Sequence, residues 1–583
     1  MPKSLVLAND NMHIGYDDYG RVSDFYYPFT GRQNHVSNGM AHKIGVYVDG
    51  KISWLDSGDW EIDITYQKNS LASLIFAKNT HNFIELKFED AIYNEKNIYI
   101  RKVTIINNAN VEREIKIFFN QQFDIHGSKT RDTGFYEPQT NSVVHYETKR
   151  VFLANLRYKD TGVDSYSVGL IGIEGKEGTF KDAEDGVLSK NPIEHGLNDS
   201  VISKIIKLPA NKKAIMSYWI CCGKNLEDVT ELNELVLKKT PEYLVKTTTN
   251  YWEAWSKKEE IDFKDLNSKS IEMFKRSLIT IRAHINNKGA IAASMDGDLL
   301  KHGRDGYMYM WPRDGAFISI ALTRAGYPNI SDNYFNFVEG LTSKAGYYYH
   351  KYTLDGYLGS SWHPWVINGN PILPIQEDET ALIIHSLWKY YSKSKNIEFI
   401  EKVFNTMIRQ SADWLCDYID EKTGLPKPSY DLWEEKYAIH TFTCATVYEA
   451  LKDASKFSQL LGKKTLATKY LDTAEKVKET ILDYLYDKKE KYFYKSINLK
   501  QNGEFNFDKT VDISTLYGLY KFGILKIDDP KFNNMFKKVQ QVLKTPTKVG
   551  GYIRYNGDVY FKKSDLSNPW ILTTLWVAQI KIA

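Results

Sequence analysis

The strongest constraint on this chain is a change of hydrophobic period near residue 245. Upstream, apolar residues alternate with polar ones. KIGVYVDGKISWL places a DG turn between two alternating runs, and SLASLIFAKN, FIELKFEDAIY, NIYIRKVTIINN and REIKIFFNQQFDI follow with turn residues between them. Many short strands with no helical stretch between them predict a large antiparallel β-sandwich over residues 1–245, with DIHGSKTRDTGFYEP as a long loop. EYLVKTTTNYWEAWSKKEEIDF reads as a linking helix, assigned to 246–265. From 266 to 583 the pattern is helical, in ten segments at roughly 266–286, 313–326, 331–344, 378–395, 397–420, 440–461, 464–487, 511–524, 530–544 and 567–583. Apolar residues at i, i+3, i+4 spacing are clear in IEFIEKVFNTMIRQSADWLCDYI and TLATKYLDTAEKVKETILDYLYD. Helices paired in sequence, with long loops on one end, suit an α/α toroid. The predicted class is multidomain β + α, with the sandwich first and the helical domain last.

At 583 residues the chain exceeds one ordinary core, so at least two domains are expected. A formal net charge of +3 gives no reason to expect nucleic acid or an anionic membrane as partner. Forty Tyr and thirteen Trp exceed what core packing usually takes. Rings with a polar tip suit carbohydrate, although richness in Lys, Ile and Asn also fits the bias of an AT-rich genome. Cys221, Cys222, Cys416 and Cys444 show no C-x-x-C spacing, which predicts reduced structural thiols in a cytoplasmic protein. The opening MPKSLVLANDNMHIGYDD has too short an apolar run for a signal segment, and no stretch reaches the length of a membrane span. No H-x-x-x-H pair, dinucleotide or P-loop glycine pattern, or G-x-S-x-G elbow occurs, so neither a catalytic metal nor a cofactor is expected.

Residues able to do chemistry cluster in loops: YMYMWPRDGA, GYLGSSWHPW, PIQEDETAL, SYDLWEE, GGYIRYNGDVY and SNPW. In the first, Pro312 before Arg313 and Asp314 fits a plain helix start, but Trp311 beside a charged pair also fits a sugar ring and its vicinal hydroxyls. In SYDLWEE, Asp431 with Glu434 three residues on resembles a capping box. Acetal hydrolysis needs a carboxylic acid that keeps its proton until the leaving oxygen takes it. Trp433 and the second carboxylate of Glu435 would raise Glu434 by desolvation and like-charge repulsion. Glu377, Asp378 and Glu379 precede a helix, where acids favour the dipole in any case. His363, in SSWHPW, has no companion at metal-ligand spacing.

Taken in order, YMYMWPRD, PIQEDETAL, SYDLWEE with HTFTCATVYEAL, IRYNGDVY and NPWILTTLW resemble glycoside hydrolase family 15, the glucoamylases, glucodextranases and archaeal or bacterial trehalases. FYYPFTGRQNHVSNGMAHKIGVYVDG also resembles the start of the β-sandwich in prokaryotic members, so the resemblance spans nearly the whole chain. It implies an (α/α)6 barrel preceded by a sandwich, and an oligosaccharide as substrate. It implies Glu434 as general acid and Glu435 near the leaving-group sugar. Trp311, Arg313 and Asp314, with Tyr307 upstream, would bind the non-reducing terminal glucose. Asp431 and Trp433 belong with the same pocket, which Arg554, Tyr560 and Trp570 would also line.

Inverting hydrolysis needs a second carboxylate about 6.5–9.5 Å from the acid. In the family it lies in an E-Q segment downstream of the N-P-W helix. Here thirteen residues follow Trp570, and no Asp or Glu follows Asp565. The expectation is a helical domain without its last helix pair and without its general base. Recruitment of Asp378 or Glu379 as base, or a sugar-binding homologue without catalysis, are the alternatives. The expected activity is exo-acting, inverting release of β-glucose from maltooligosaccharides, with a trehalase or a non-catalytic sugar-binding protein as the other readings.

Overall fold

The computed structural model describes residues 3–36, 39–258, 261–300, 303–499, 504–562 and 564–583. The chain forms two compact units, Met1–Tyr309 with Thr353–Asp355, and Met310–Tyr352 with Gly356–Ala583.

Antiparallel strands dominate the first unit, in sheets of three, five and nine. Lys213–Gly223 lies at the centre of the nine-stranded sheet, between Ile98–Asn107 and Arg150–Arg157. Alternation decides which side chains turn inward. In Arg113–Gln122, Ile115 and Ile117 are fully buried while Glu114 is exposed. The predicted DG hairpin forms: Lys43–Val48 pairs with Lys51–Trp54. Asp49 and Gly50 between them take φ of 52° and 79°, as a two-residue turn matching the strand twist requires. Residues 133–137, expected in a loop, form a strand on Ser142–Glu147 instead. The partner begins five residues further on, so a tight local turn through Asn141, φ 51°, is enough to close the pair. Phe123, Phe152 and Phe25 meet in the core with ring centroids 4.6–6.0 Å apart.

Helices α1 (Thr179–Asp182), α2 (Leu226–Lys239), α3 (Pro241–Ser256) and α4 (Ser268–Ala283) also belong to this unit. Ile279 and Ala283 of α4 are buried with Ala8, Leu71 and Trp252, which ties that helix to the strand-rich region.

The second unit is helical. It contains α5 (Pro312–Arg324), α6 (Pro328–Glu339), α7 (Glu377–Ser394), α8 (Ile397–Val403), α9 (Gln410–Asp417) and α10 (Thr441–Leu460). It continues with α11 (Lys464–Tyr484), α12 (Ile513–Lys521), α13 (Pro530–Val542) and α14 (Ile571–Ile582). A π-helical turn over Phe404–Arg409 joins α8 to α9, so the segment predicted at 397–420 is one interrupted helix. Two burial patterns occur. Most of α10 and the first three turns of α7 are buried all round, as interior helices must be. By contrast α11 buries Ala467, Tyr470, Ala474, Val477 and Ile481, a single stripe laid on a neighbour. None of the described helices is long and apolar enough to cross a membrane.

The N-cap positions matter most for function. Trp311, Gln376, His440, Asp512 and Trp570 occupy them on α5, α7, α10, α12 and α14. Loops that look unrelated in sequence therefore end at equivalent places in the unit.

Candidate active site

Residues 431–436 form a turn between the short strands Ser429–Tyr430 and Tyr437–His440, and α10 begins only at Thr441. The capping-box reading therefore fails. Asp431 still caps backbone, but of a turn: its Oδ1 accepts N–H bonds from Glu435 at 2.8 Å and Lys436 at 3.0 Å. Its other oxygen faces Lys495 Nζ at 3.5 Å. The Asp431 carbonyl accepts the Glu434 N–H at 2.8 Å, and Glu434 itself has φ of 64°. A bulky side chain is rare in that left-handed region, and such strain collects at functional positions.

Glu434 reaches a buried cluster of charge and rings. Its Oε2 lies 3.2 Å from His350 Nε2, and its Oε1 lies 3.7 Å from Arg313. The Trp311 indole N–H donates to the same His350 Nε2 at 3.1 Å, and the Trp362 N–H donates to the Glu434 carbonyl at 3.4 Å. Arg313, 8% exposed, donates to Gln376 Oε1 and lies 3.2 Å from Asp378 and 3.4 Å from Glu379. Gln376 Nε2 in turn meets His363 Nε2 at 3.0 Å, and the His363 ring lies between those of His350 and Tyr430 at 4.1 and 4.0 Å.

The electrostatics differ from expectation at Glu434. Burial pushes its carboxyl up, but the hydrogen bond and charge of His350, with Arg313, outweigh burial and hold it below the usual range. The expected repulsion from Glu435 is missing for a geometric reason. Glu435 turns to Arg554 at 2.9 Å and accepts the Tyr555 hydroxyl at 2.5 Å, so its charge is already balanced. Burial drives Glu379 well above the carboxylate range and raises Asp378 and Asp314, each against the pull of Arg313. Glu377 goes well up for the same reason, and its carboxyl oxygens have no hydrogen-bond partner among the described residues.

Arg554 organises a second wall. Asp558 holds its guanidinium by two bonds of 2.7 Å, which fixes the plane of the fork. Around it lie the rings of Trp570, Tyr560 and Trp433, at 4.7, 5.0 and 5.2 Å. The Trp433 N–H donates to Asp512 at 3.0 Å, locking that indole to the start of α12.

Of the residues singled out in the sequence, Trp311, Arg313 and Glu434 meet in one cluster, with Asp314 following Arg313 in the first turn of α5. Trp433, Glu435, Arg554, Tyr560 and Trp570 meet in the other. Tyr307 belongs to the first unit, where it is about two-fifths exposed. Sequence reasoning missed His350, Asp512 and Tyr555, and took Asp378 and Glu379 as helix-dipole acids or a recruited base, never as partners of Arg313. The signal for His350 was present in YYYHKY, a histidine and a lysine inside a run of tyrosines. Among the described residues His385, Glu449 and Asp453 bring three potential metal ligands within 4.8 Å. Lys456 and Lys452 already neutralise those carboxylates, at 2.7 and 3.3 Å.

A helical unit that gathers acids, arginines and aromatic rings beside its helix starts has the residue types that carbohydrate chemistry uses. The profile of Glycosyl hydrolases family 15 matches residues 268–583, and the chain belongs to that family. An uncharacterized glycosyl hydrolase of Methanocaldococcus jannaschii is 27% identical, over 98% of this chain and 86% of its own length. Trehalase 1 of Sulfolobus acidocaldarius is 22% identical over 47% of this chain and 46% of its own length. Among solved structures, a bacterial glucoamylase complexed with acarbose superposes with a TM-score of 0.77 at 17% identity, covering 100% of this chain and 85% of that one.

Proposed function

We propose that this chain is an exo-acting, inverting α-glucoside hydrolase of the glucoamylase type, releasing β-glucose from the non-reducing ends of maltooligosaccharides. In this reading residues 1–245 form a β-sandwich domain, 246–265 a linker, and 266–583 a catalytic domain of the (α/α)6 barrel type, acting in the cytoplasm. The single observation that carries it is Glu434, a partly buried carboxyl held at φ 64° against Arg313 and His350 beside Trp311.

Glu434 protonates the glycosidic oxygen as the bond to C1 breaks, and water bonds to C1 from the opposite face with loss of one proton, which gives the β-anomer. Arg313 and Asp314 bind hydroxyls of the terminal glucose, and Trp311 packs on its ring with Tyr307 nearby in sequence. On the leaving-group side Glu435, Arg554, Tyr560, Trp433 and Trp570 hold the next sugar, while Asp431 keeps the turn in shape. Asp378 and Glu379 are fully buried and committed to Arg313, a poor setting for activating water, so neither is assigned as general base. The base has no candidate in this cluster.

Trehalose presents the same terminal glucose, and a trehalase is among the similar proteins, so the test uses two substrates. Glucose release from maltotriose and from trehalose is measured for the wild type and Glu434→Gln. A loss of about 10²–10⁴-fold is expected for whichever substrate is turned over. Equal rates for the two proteins would remove Glu434 from the mechanism.

A further inference from the structure

His350 is buried, 1% exposed, and three groups converge on it. Its Nδ1 lies 2.9 Å from Ser361 Oγ, and its Nε2 lies 3.1 Å from the Trp311 indole nitrogen and 3.2 Å from Glu434 Oε2. An indole N–H can only donate. Bonding to Trp311 therefore requires a lone pair on Nε2, which places the ring hydrogen on Nδ1, where Ser361 Oγ can accept it. A bare carboxylate oxygen 3.2 Å from that lone pair would be repelled. One arrangement satisfies the geometry: the proton sits on Glu434 Oε2 and points at Nε2, which shares its lone pair between two donors.

We propose that His350 is a positioning residue that keeps the catalytic proton on Glu434 Oε2, and that the Trp311 N–H enforces this by excluding hydrogen from Nε2. This rests on the general-acid role proposed for Glu434. It resolves a conflict in the site. The charge of Arg313 favours an ionised Glu434, and the depression of that carboxyl by His350 holds only while Nε2 acts as a donor, which Trp311 opposes. The other charged neighbours oppose a cationic His350. Burial lowers it, and Lys351 and Arg313 add to that against Glu434, while the stacked His363 is itself lowered to about 3. During turnover the proton leaves Oε2 for the departing glycosidic oxygen, and one proton returns from solvent. The Nε2 lone pair, still held by the Trp311 N–H, favours that return, because it leaves the bare carboxylate with an unfavourable neighbour.

Trp311→Phe tests this most directly, since it keeps an aromatic ring at that position while removing the N–H along with part of the indole. Long-range proton–nitrogen spectra of ¹⁵N-histidine protein show which ring nitrogen carries hydrogen, with His350→Gln identifying the signals. In the wild type, expected at pH 7 is His350 with hydrogen on Nδ1 alone, and in Trp311→Phe the signal should shift to a form with hydrogen on Nε2. If maltotriose or trehalose is hydrolysed, the alkaline limb of the rate profile should move down by about one pH unit, a tenfold loss above it. A wild-type His350 with hydrogen on Nε2, or a Trp311→Phe spectrum identical to wild type in a folded protein, overturns the proposal. The spectra need no turnover, so an inactive protein with the expected tautomers would count against the hydrolase reading alone.

Discussion

Replacing Arg313 by methionine removes the cation that three carboxylates share. It lies 3.2 Å from Asp378, 3.4 Å from Glu379 and 3.7 Å from Glu434. At an effective dielectric of about 20 each contact is worth roughly 5 kcal/mol of attraction before desolvation is subtracted. Much of that offsets the cost of burying the ions, and breaking a buried pair of this kind costs about 3–5 kcal/mol net. The sign of its pH dependence follows from the carboxyls left behind. Burial already raises Asp378 and Glu379, with Arg313 the main influence in the other direction, so its removal raises them further. A carboxyl raised in the folded state stabilises below its unfolded pKa of about 4, and that stabilisation is lost as pH climbs through the folded value. Arg313→Met should therefore be tolerated better at pH 5 than at pH 8. At about 2–4 °C per kcal/mol, the thermal midpoint of the second unit should fall by roughly 10 °C at pH 8 and by about half that at pH 5. Unfolding followed by tryptophan fluorescence at the two pH values gives the answer. Equal shifts at both, or none, would refute the idea that Arg313 is the counter-ion of this cluster.

Three further outcomes are expected. Asp508 anchors the turn that carries Glu434: burial raises its carboxyl, but Lys436 at 2.5 Å and Thr510 hold it at about 2, so its stabilisation is present above pH ~4 and lost as pH falls through 2. Lys436 is partly exposed, so screening leaves about 1 kcal/mol, and acid titration of the thermal midpoint should be flatter in Asp508→Asn than in wild type. Arg554→Met should raise KM for maltotriose about tenfold, a loss of ~1.4 kcal/mol, with a smaller change in kcat, because it frees Glu435 and unsettles the wall around Trp570. If the cluster lacks its base, azide should increase turnover of α-glucosyl fluoride and yield β-glucosyl azide, detected by NMR; no azide product alongside brisk hydrolysis would mean that a base is present.

The two-part architecture was legible because hydrophobic period is a local property. Alternation of two gave the hairpin at Asp49–Gly50, and spacing of three and four located α11 to within a few residues. The strand at 133–137 escaped because its apolar content is slight and its stability comes from the neighbouring Ser142–Glu147 strand. At the site, residue types pointed to acid chemistry, and Glu434 and Arg313 stood out by their company in the chain. Their electrostatics did not follow from that company. Adjacency in sequence placed two carboxylates side by side, yet a left-handed residue at Glu434 and an arginine 119 positions from Glu435 turn them to different partners.

The sequence alone determined the class of fold, the order of its parts and the chemical kinds of residue gathered in the loops, since each depends on neighbours within a few positions. Tertiary structure alone decided which charges meet. His350 reaches Glu434 across 84 positions, from a loop to a turn, and Gln376 reaches Arg313 across 63, between two helix starts. Burial then sets how strongly those charges act on one another, and burial is a property of the packed molecule that no single segment carries.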